Sequence, residues 1–269
     1  MVDREHEAFK KRFELRMGFP FGRRARQRED IRIKNKSKKR SKKEKNGEIW
    51  TQYYDSGLHQ FNDGISLTPD LFPGGSLEAY LKSRFQDTPV IGIELGGPGI
   101  RLFQDISNIV GNLKRSVGIT LADPKTPRPS SHSIIEGDLN HEEVYGKIAN
   151  ALGGEKANLL IARPAGGIDF ILNNPFFLTK QLVYLYENVL QEKSTILLQC
   201  PEKWSLFMRR WVAYANSQGL HVRYNDYALL IERDGHSPQQ FPVLSASELR
   251  RAYKPSPPPK NEDKVIQNI

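Results

Sequence analysis

Cysteine is nearly absent from this chain of 269 residues: Cys200 is the only one. A single thiol closes no internal disulfide, and that scarcity fits a reducing compartment. The six histidines fall at no ligand-like spacing, so with one cysteine there is no zinc pattern. No apolar run approaches the ~18 residues that a membrane-spanning helix needs. The N-terminus lacks the apolar centre of a signal peptide, and its acidic residues argue against a transit peptide. The expectation is a soluble intracellular protein, cytoplasmic or nuclear. Apolar residues are also in short supply. A hydrophobic content of 38% and a mean hydropathy of -0.57 are low for a wholly globular chain of this length, which predicts one large domain with tails.

The net charge of +9 is not spread evenly. Residues 1–47 hold 18 Lys and Arg against 7 Asp and Glu, leaving 22 basic and 24 acidic residues for all the rest. The basicity therefore belongs to the head. Its densest part, Arg32-Ile-Lys-Asn-Lys-Ser-Lys-Lys-Arg-Ser-Lys-Lys-Glu-Lys45, has no core-forming periodicity and no aromatics. Such a run is expected to be a disordered, solvated arm. It suits phosphate contacts with nucleic acid or a ribonucleoprotein, or a nuclear address, but not the reading of bases.

Residues 48–87 form a pre-core segment, read as a cap or lid. Trp50, Tyr53 and Tyr54 either pack against the sheet or close over a ligand, and residues 77–85 read as a short helix. From 88 to 235 strands and helices alternate. Strands are predicted at 90–95, 117–121, 133–135, 157–161 and 194–199, and helices at 100–113, 141–151, 176–191 and 202–217. The last two strands, 220–224 and 227–232, lie too close for a crossover helix and must pair as an antiparallel hairpin. The fold class is α/β: a Rossmann-like, doubly wound, mainly parallel sheet with a C-terminal antiparallel hairpin. Residues 236–269, ending in a Pro-rich and charged stretch, are expected to be a disordered tail.

The chain is organised around Val90-Ile-Gly-Ile-Glu94-Leu-Gly96-Gly97-Pro98-Gly99. An apolar strand meets a carboxylate, breaks at three glycines and passes into a helix. Such a turn lets backbone N–H groups and the positive end of a helix approach a ligand. A nicotinamide-type G-x-G-x-x-G does not fit, because Gly97-Pro98-Gly99 leads to Leu102 where a glycine is wanted.

Five parallel strands, a glycine turn after the first and a terminal hairpin resemble the class I S-adenosylmethionine-dependent methyltransferases, over about residues 88–234. The resemblance implies S-adenosyl-L-methionine as cofactor. Glu94 with Gly96, Gly97 and Gly99 would hold its methionine part, Asp123 its ribose hydroxyls and Asp138 its adenine amino group. Arg163 belongs to the tip of strand four and joins the candidate cofactor set; Asp169, Asn173 and Asn174 follow as possible substrate contacts. Each has a plainer role open to it. The glycines make a strand-to-helix turn, Glu94 caps nearby N–H groups, Asp123 before Pro124 starts a turn, Asp138 caps a helix and Arg163 lies on the surface.

The sequence departs from the family in three places. The glycine loop is one residue shorter, residues 124–131 leave no room for a helix between strands two and three, and the strand-four tip reads Ala162-Arg163-Pro164-Ala165-Gly166-Gly167. Two functions stay open. One is a methyltransferase acting on RNA, protein or another acceptor. The other is a non-catalytic scaffold of the same fold that binds nucleic acid through its arm.

Overall fold

Strand β1, Val90–Leu95, is buried along its whole length, as a central strand covered on both faces must be. The computed structural model describes residues 57–58, 71–120, 123–137, 139, 142–162, 182–199, 205–225 and 228–244. The basic arm, Trp50, Tyr53, Tyr54, Asp138, residues 163–174 and Cys200 lie outside the described residues.

Around β1 stand β2 (Leu113–Thr120), β3 (His132–Glu136), β4 (Ala157–Ala162), β5 (Leu190–Gln199), β6 (His221–Asn225) and β7 (Ala228–Arg233). They form one seven-stranded sheet in the order β3-β2-β1-β4-β5-β7-β6. The pairings β1–β2, β1–β4, β2–β3 and β4–β5 are parallel, whereas β7 runs antiparallel to both β5 and β6. The predicted hairpin is present, with its second strand inserted between β5 and its first. This is a Rossmann-like α/β architecture, a mainly parallel sheet closed by a C-terminal antiparallel hairpin.

Alternation along the strands divides the core in two. Ile91, Ile93 and Leu95 face one side with Val117, Ile119, Leu160, Ile196 and Leu198; the short helices α3 (Glu142–Gly146) and α4 (Ile148–Ala151) and the helix α5 (Ser205–Ser217) cover them. Val90 faces the other side, with Leu159, Ile161, Leu197 and Leu230. There they meet α1 (Leu77–Arg84) and α2 (Ile100–Val110), through Leu77, Leu81, Leu102, Phe103 and Ile106. Gly92 is a glycine because the Phe103 ring occupies the place where a Cβ would stand.

Polar anchors complete the packing. Ser76 caps α1 by accepting the Ala79 N–H at 3.1 Å, and Tyr80 carries its hydroxyl across to Thr195 and Glu232, 3.1 and 3.0 Å away. Asn158 bonds both the Ile91 N–H and the Pro89 carbonyl, which fixes where β1 begins.

Several boundaries differ from expectation. The helix foreseen at 100–113 stops at Val110, because Gly111 adopts φ +73° and returns its N–H to Ser107 O, a left-handed cap. β2 consequently starts at Leu113, four residues before the predicted strand. The helix foreseen at 141–151 is two short ones. β5 begins at Leu190, directly after a π-helical turn at Leu185–Val189, so that helix ends before 191. The tail foreseen from 236 is folded as far as 244. Phe241 is buried between Tyr186 and Trp211, at ring distances of 5.3 and 5.4 Å, and Trp211 Nε1 donates to Pro242 O at 3.0 Å.

Candidate functional site

The C-terminal ends of β1, β2 and β4 open onto one edge of the sheet, the place where open α/β sheets take ligands. Glu94 pairs with Gly118 of β2 and Ile161 of β4 and has no exposed surface. Gly96 takes φ +90° and Gly99 φ +74°, values that favour glycine and turn the chain from β1 into α2. The loop between them lies directly over the carboxylate. A Cβ on Gly97 would sit 2.6 Å from Glu94 Oε1, and one on Gly99 3.1 Å from Oε2. Gly99 is the N-cap of α2 and supplies no side-chain cap to its first turn, so the partly positive end of the helix meets the glycine loop.

The loop is fastened to its neighbours. Gly96 N–H donates to Ile119 O at 3.0 Å, and Gly97 forms a bridge with Ile119. The Pro98 carbonyl oxygen stands where a Cβ of Gly118 would be, so residue 118 has to be glycine. His132 Nε2 lies 2.8 Å from the same carbonyl oxygen, and its Nδ1 lies 2.7 Å from Ser116 Oγ. A carbonyl only accepts, so Nε2 carries the proton; Nδ1 of the neutral ring then accepts from the Ser116 hydroxyl. Both side chains are buried, and the two residues are register partners on β2 and β3.

Asp123 lies just past the end of β2. Arg128 Nη1 and Nη2 donate to its Oδ1 and Oδ2 at 2.8 and 3.0 Å, and the Lys125 N–H donates to Oδ1 at 2.9 Å. The guanidinium pair holds the carboxyl well below the usual range, at about 2. Glu136 at the tip of β3 accepts the Asp123 N–H at 2.7 Å. Residues 123–131 carry no helix. In its place a groove of about 460 Å3 lies between α2 and residues 127–132, floored by Phe103, Ser116 and His132. It sits on the helix face of the sheet, away from the strand ends.

The structure thus gathers Glu94, Gly96, Gly97 and Gly99 into one turn and sets Asp123 at the neighbouring strand end. Asp138 and Arg163 lie outside the described residues. Sequence reasoning passed over Ser116, Gly118, Arg128 and His132. Gly118 carried a usable signal, since a glycine inside a strand marks a close backbone approach; His132 and Ser116 carried none, being distant polar residues that only strand register brings together. Among the described residues no helix is long and apolar enough to cross a membrane, and no group of three or more His, Cys, Asp or Glu side chains is placed to hold a metal.

No protein-family model and no curated protein matches the chain. Solved structures do resemble it. MycE methyltransferase of the mycinamycin biosynthetic pathway, crystallised with Mg and S-adenosylhomocysteine, is 12% identical over 58% of this chain and 49% of its own, with a TM-score of 0.43. A Plasmodium falciparum protein assigned as a ribosomal RNA methyltransferase is 15% identical over 60% of this chain and 95% of its own, at 0.42. TrmN of Thermus thermophilus is 16% identical over 62% and 49%, at 0.37. The part of MycE matched is about half that chain's length. At these values the likeness adds nothing to the architecture, which rests on the strand order.

Proposed function

We propose that this protein is an S-adenosyl-L-methionine-dependent methyltransferase whose acceptor is an RNA or a ribonucleoprotein component. The observation that carries the reading is the β1–α2 turn. It combines a left-handed glycine cap that makes no side-chain bond of its own with a buried carboxylate directly beneath it, at the edge where open α/β sheets take ligands. The N–H groups of the first turn of α2 suit the carboxylate of the cofactor's methionine part. Gly96, Gly97 and Gly99 let the ligand approach the backbone, and Glu94 supplies negative charge for its ammonium and sulfonium. Asp123 offers a carboxylate for the ribose hydroxyls; Asp138 and Arg163 complete the set on sequence grounds alone.

When bound, the cofactor supplies an activated methyl group. The protein's own work is then to align the acceptor with that methyl at near-attack distance, which needs no dedicated acid or base unless the acceptor must lose a proton. The basic head supports a nucleic-acid acceptor: 18 Lys and Arg in 47 residues give a sequence-independent, salt-sensitive hold on phosphates. Calorimetric titration of the full chain with S-adenosylmethionine and S-adenosylhomocysteine tests the reading. Micromolar binding that Glu94→Ala weakens at least tenfold supports it; absence of binding to folded protein overturns it.

Two observations favour a second reading, a non-catalytic scaffold with the same fold. Asp123 is already engaged by Arg128, and the glycine loop covers Glu94. Under that reading neither ligand binds, while retention on RNA through residues 1–47 persists at low salt.

A further inference from the structure

The geometry points to Arg128 as a latch on the carboxylate that the cofactor's ribose requires. This rests on the cofactor reading above and adds to it a side chain that competes with the ligand.

A ribose diol presents two O–H donors side by side and is best held by both oxygens of one carboxylate. Asp123 cannot receive it as it stands. Its Oδ1 already accepts from Arg128 Nη1 and from the Lys125 N–H, and its Oδ2 accepts from Arg128 Nη2. Each carboxylate oxygen has two in-plane lone pairs, so Oδ1 is saturated and Oδ2 keeps one. The diol must therefore displace the guanidinium rather than join it. A bidentate ion pair is exchanged for two hydrogen bonds from neutral hydroxyls, which lowers the affinity for the cofactor.

Arg128 is placed to move. Its side chain is 32% exposed, against 10% for Asp123, and it belongs to residues 123–131, which no helix holds in place. On its other side lies the 460 Å3 groove, where Gln104, Ser107, Asn108 and Ser131 offer neutral oxygen acceptors for a released guanidinium. The pair is thus a two-position element: closed on Asp123, or turned toward the groove with the carboxylate exposed to ligand.

The test is titration of S-adenosylhomocysteine into the full-length protein, Arg128→Ala, Asp123→Asn and the double variant. Removing a competitor tightens binding, so Arg128→Ala is expected to bind about two- to fivefold more tightly than wild type, the range such an ion pair can withhold. Asp123→Asn binds more weakly than Arg128→Ala, and the double variant binds no tighter than Asp123→Asn alone, because the latch acts only through that carboxylate. Equal or weaker binding by Arg128→Ala overturns the latch, assigns Arg128 the opposite task of orienting Asp123, and leaves the cofactor reading standing. A double variant that gains as much as Arg128→Ala also overturns it. Absence of binding by every variant, all folded by circular dichroism, overturns the cofactor reading and the latch together.

Discussion

His132 Nε2 donates a hydrogen bond to the carbonyl oxygen of Pro98 across 2.8 Å, joining the first residue of β3 to the loop that follows β1. The glycine loop therefore does not set its own position. A histidine two strands away holds it, and Ser116, on the strand between, orients that histidine.

Replacing His132 by Asn keeps a polar side chain but shortens it, so the bond to Pro98 is lost while Ser116 retains a neighbour. Loss of a buried hydrogen bond predicts a destabilisation of about 1–3 kcal/mol. His132→Gln, whose amide reaches further, should recover part of this. Urea unfolding of both variants decides it; equal stability of wild type and the Asn variant would show that the bond contributes nothing.

Gly118→Ala tests the loop from below. The new methyl would overlap the Pro98 carbonyl oxygen, a backbone atom that cannot rotate aside. Either the loop rises or the strand shifts, at a cost of about 1–3 kcal/mol typical of overpacking. Because the displaced segment is the proposed cofactor loop, S-adenosylhomocysteine affinity should fall as well. Gly75→Ala, where a Cβ meets nothing but takes φ +79°, is the control for backbone strain without collision.

How much of this was legible in the sequence depends on the range of the interaction. The strand and helix order, the terminal hairpin and the glycine turn at 96–99 follow from local periodicity and turn chemistry, and they are present as far as the described residues reach. What local pattern could not supply was contact between distant positions. Arg128 reads as one cation in a Pro-rich stretch, and only the turn at Lys125 brings its guanidinium back onto Asp123. Phe241 stands among prolines and polar residues and so read as tail. Its burial depends on Trp211 and Tyr186, whose positions are set 30 and 55 residues earlier in the chain.

Phe241 then predicts where the domain ends. Its ring stacks on Trp211 at an interplanar angle of 21° and meets Tyr186 edge-on. Tyr186 donates its hydroxyl to Pro238 O at 2.6 Å. Phe241→Ala should cost about 3–5 kcal/mol, as large aromatic deletions in cores do. Truncation after residue 235 should cost at least as much, whereas truncation after 244 leaves the thermal midpoint near that of the full chain. Equal midpoints for both truncations would place the domain boundary at 235 after all.

The Asp123–Arg128 pair also fixes the direction of an acid response. Arg128 first, with the Lys125 N–H and ammonium, lowers the folded-state pKa of Asp123 from 3.8 to about 2. A depressed carboxyl pKa contributes stability that is complete above the unfolded value and is lost as pH falls through the folded one. The contribution is therefore present above about pH 4 and is lost as the pH falls through about 2. In Arg128→Ala the carboxyl returns toward its unfolded value, since the guanidinium is the largest cause of the shift. That variant should lose stability less steeply than wild type between those limits. Urea midpoints measured at intervals through that window make the comparison. Parallel acid slopes would mean that the pair does not persist in solution, and with it would go the reason for treating Asp123 as occupied.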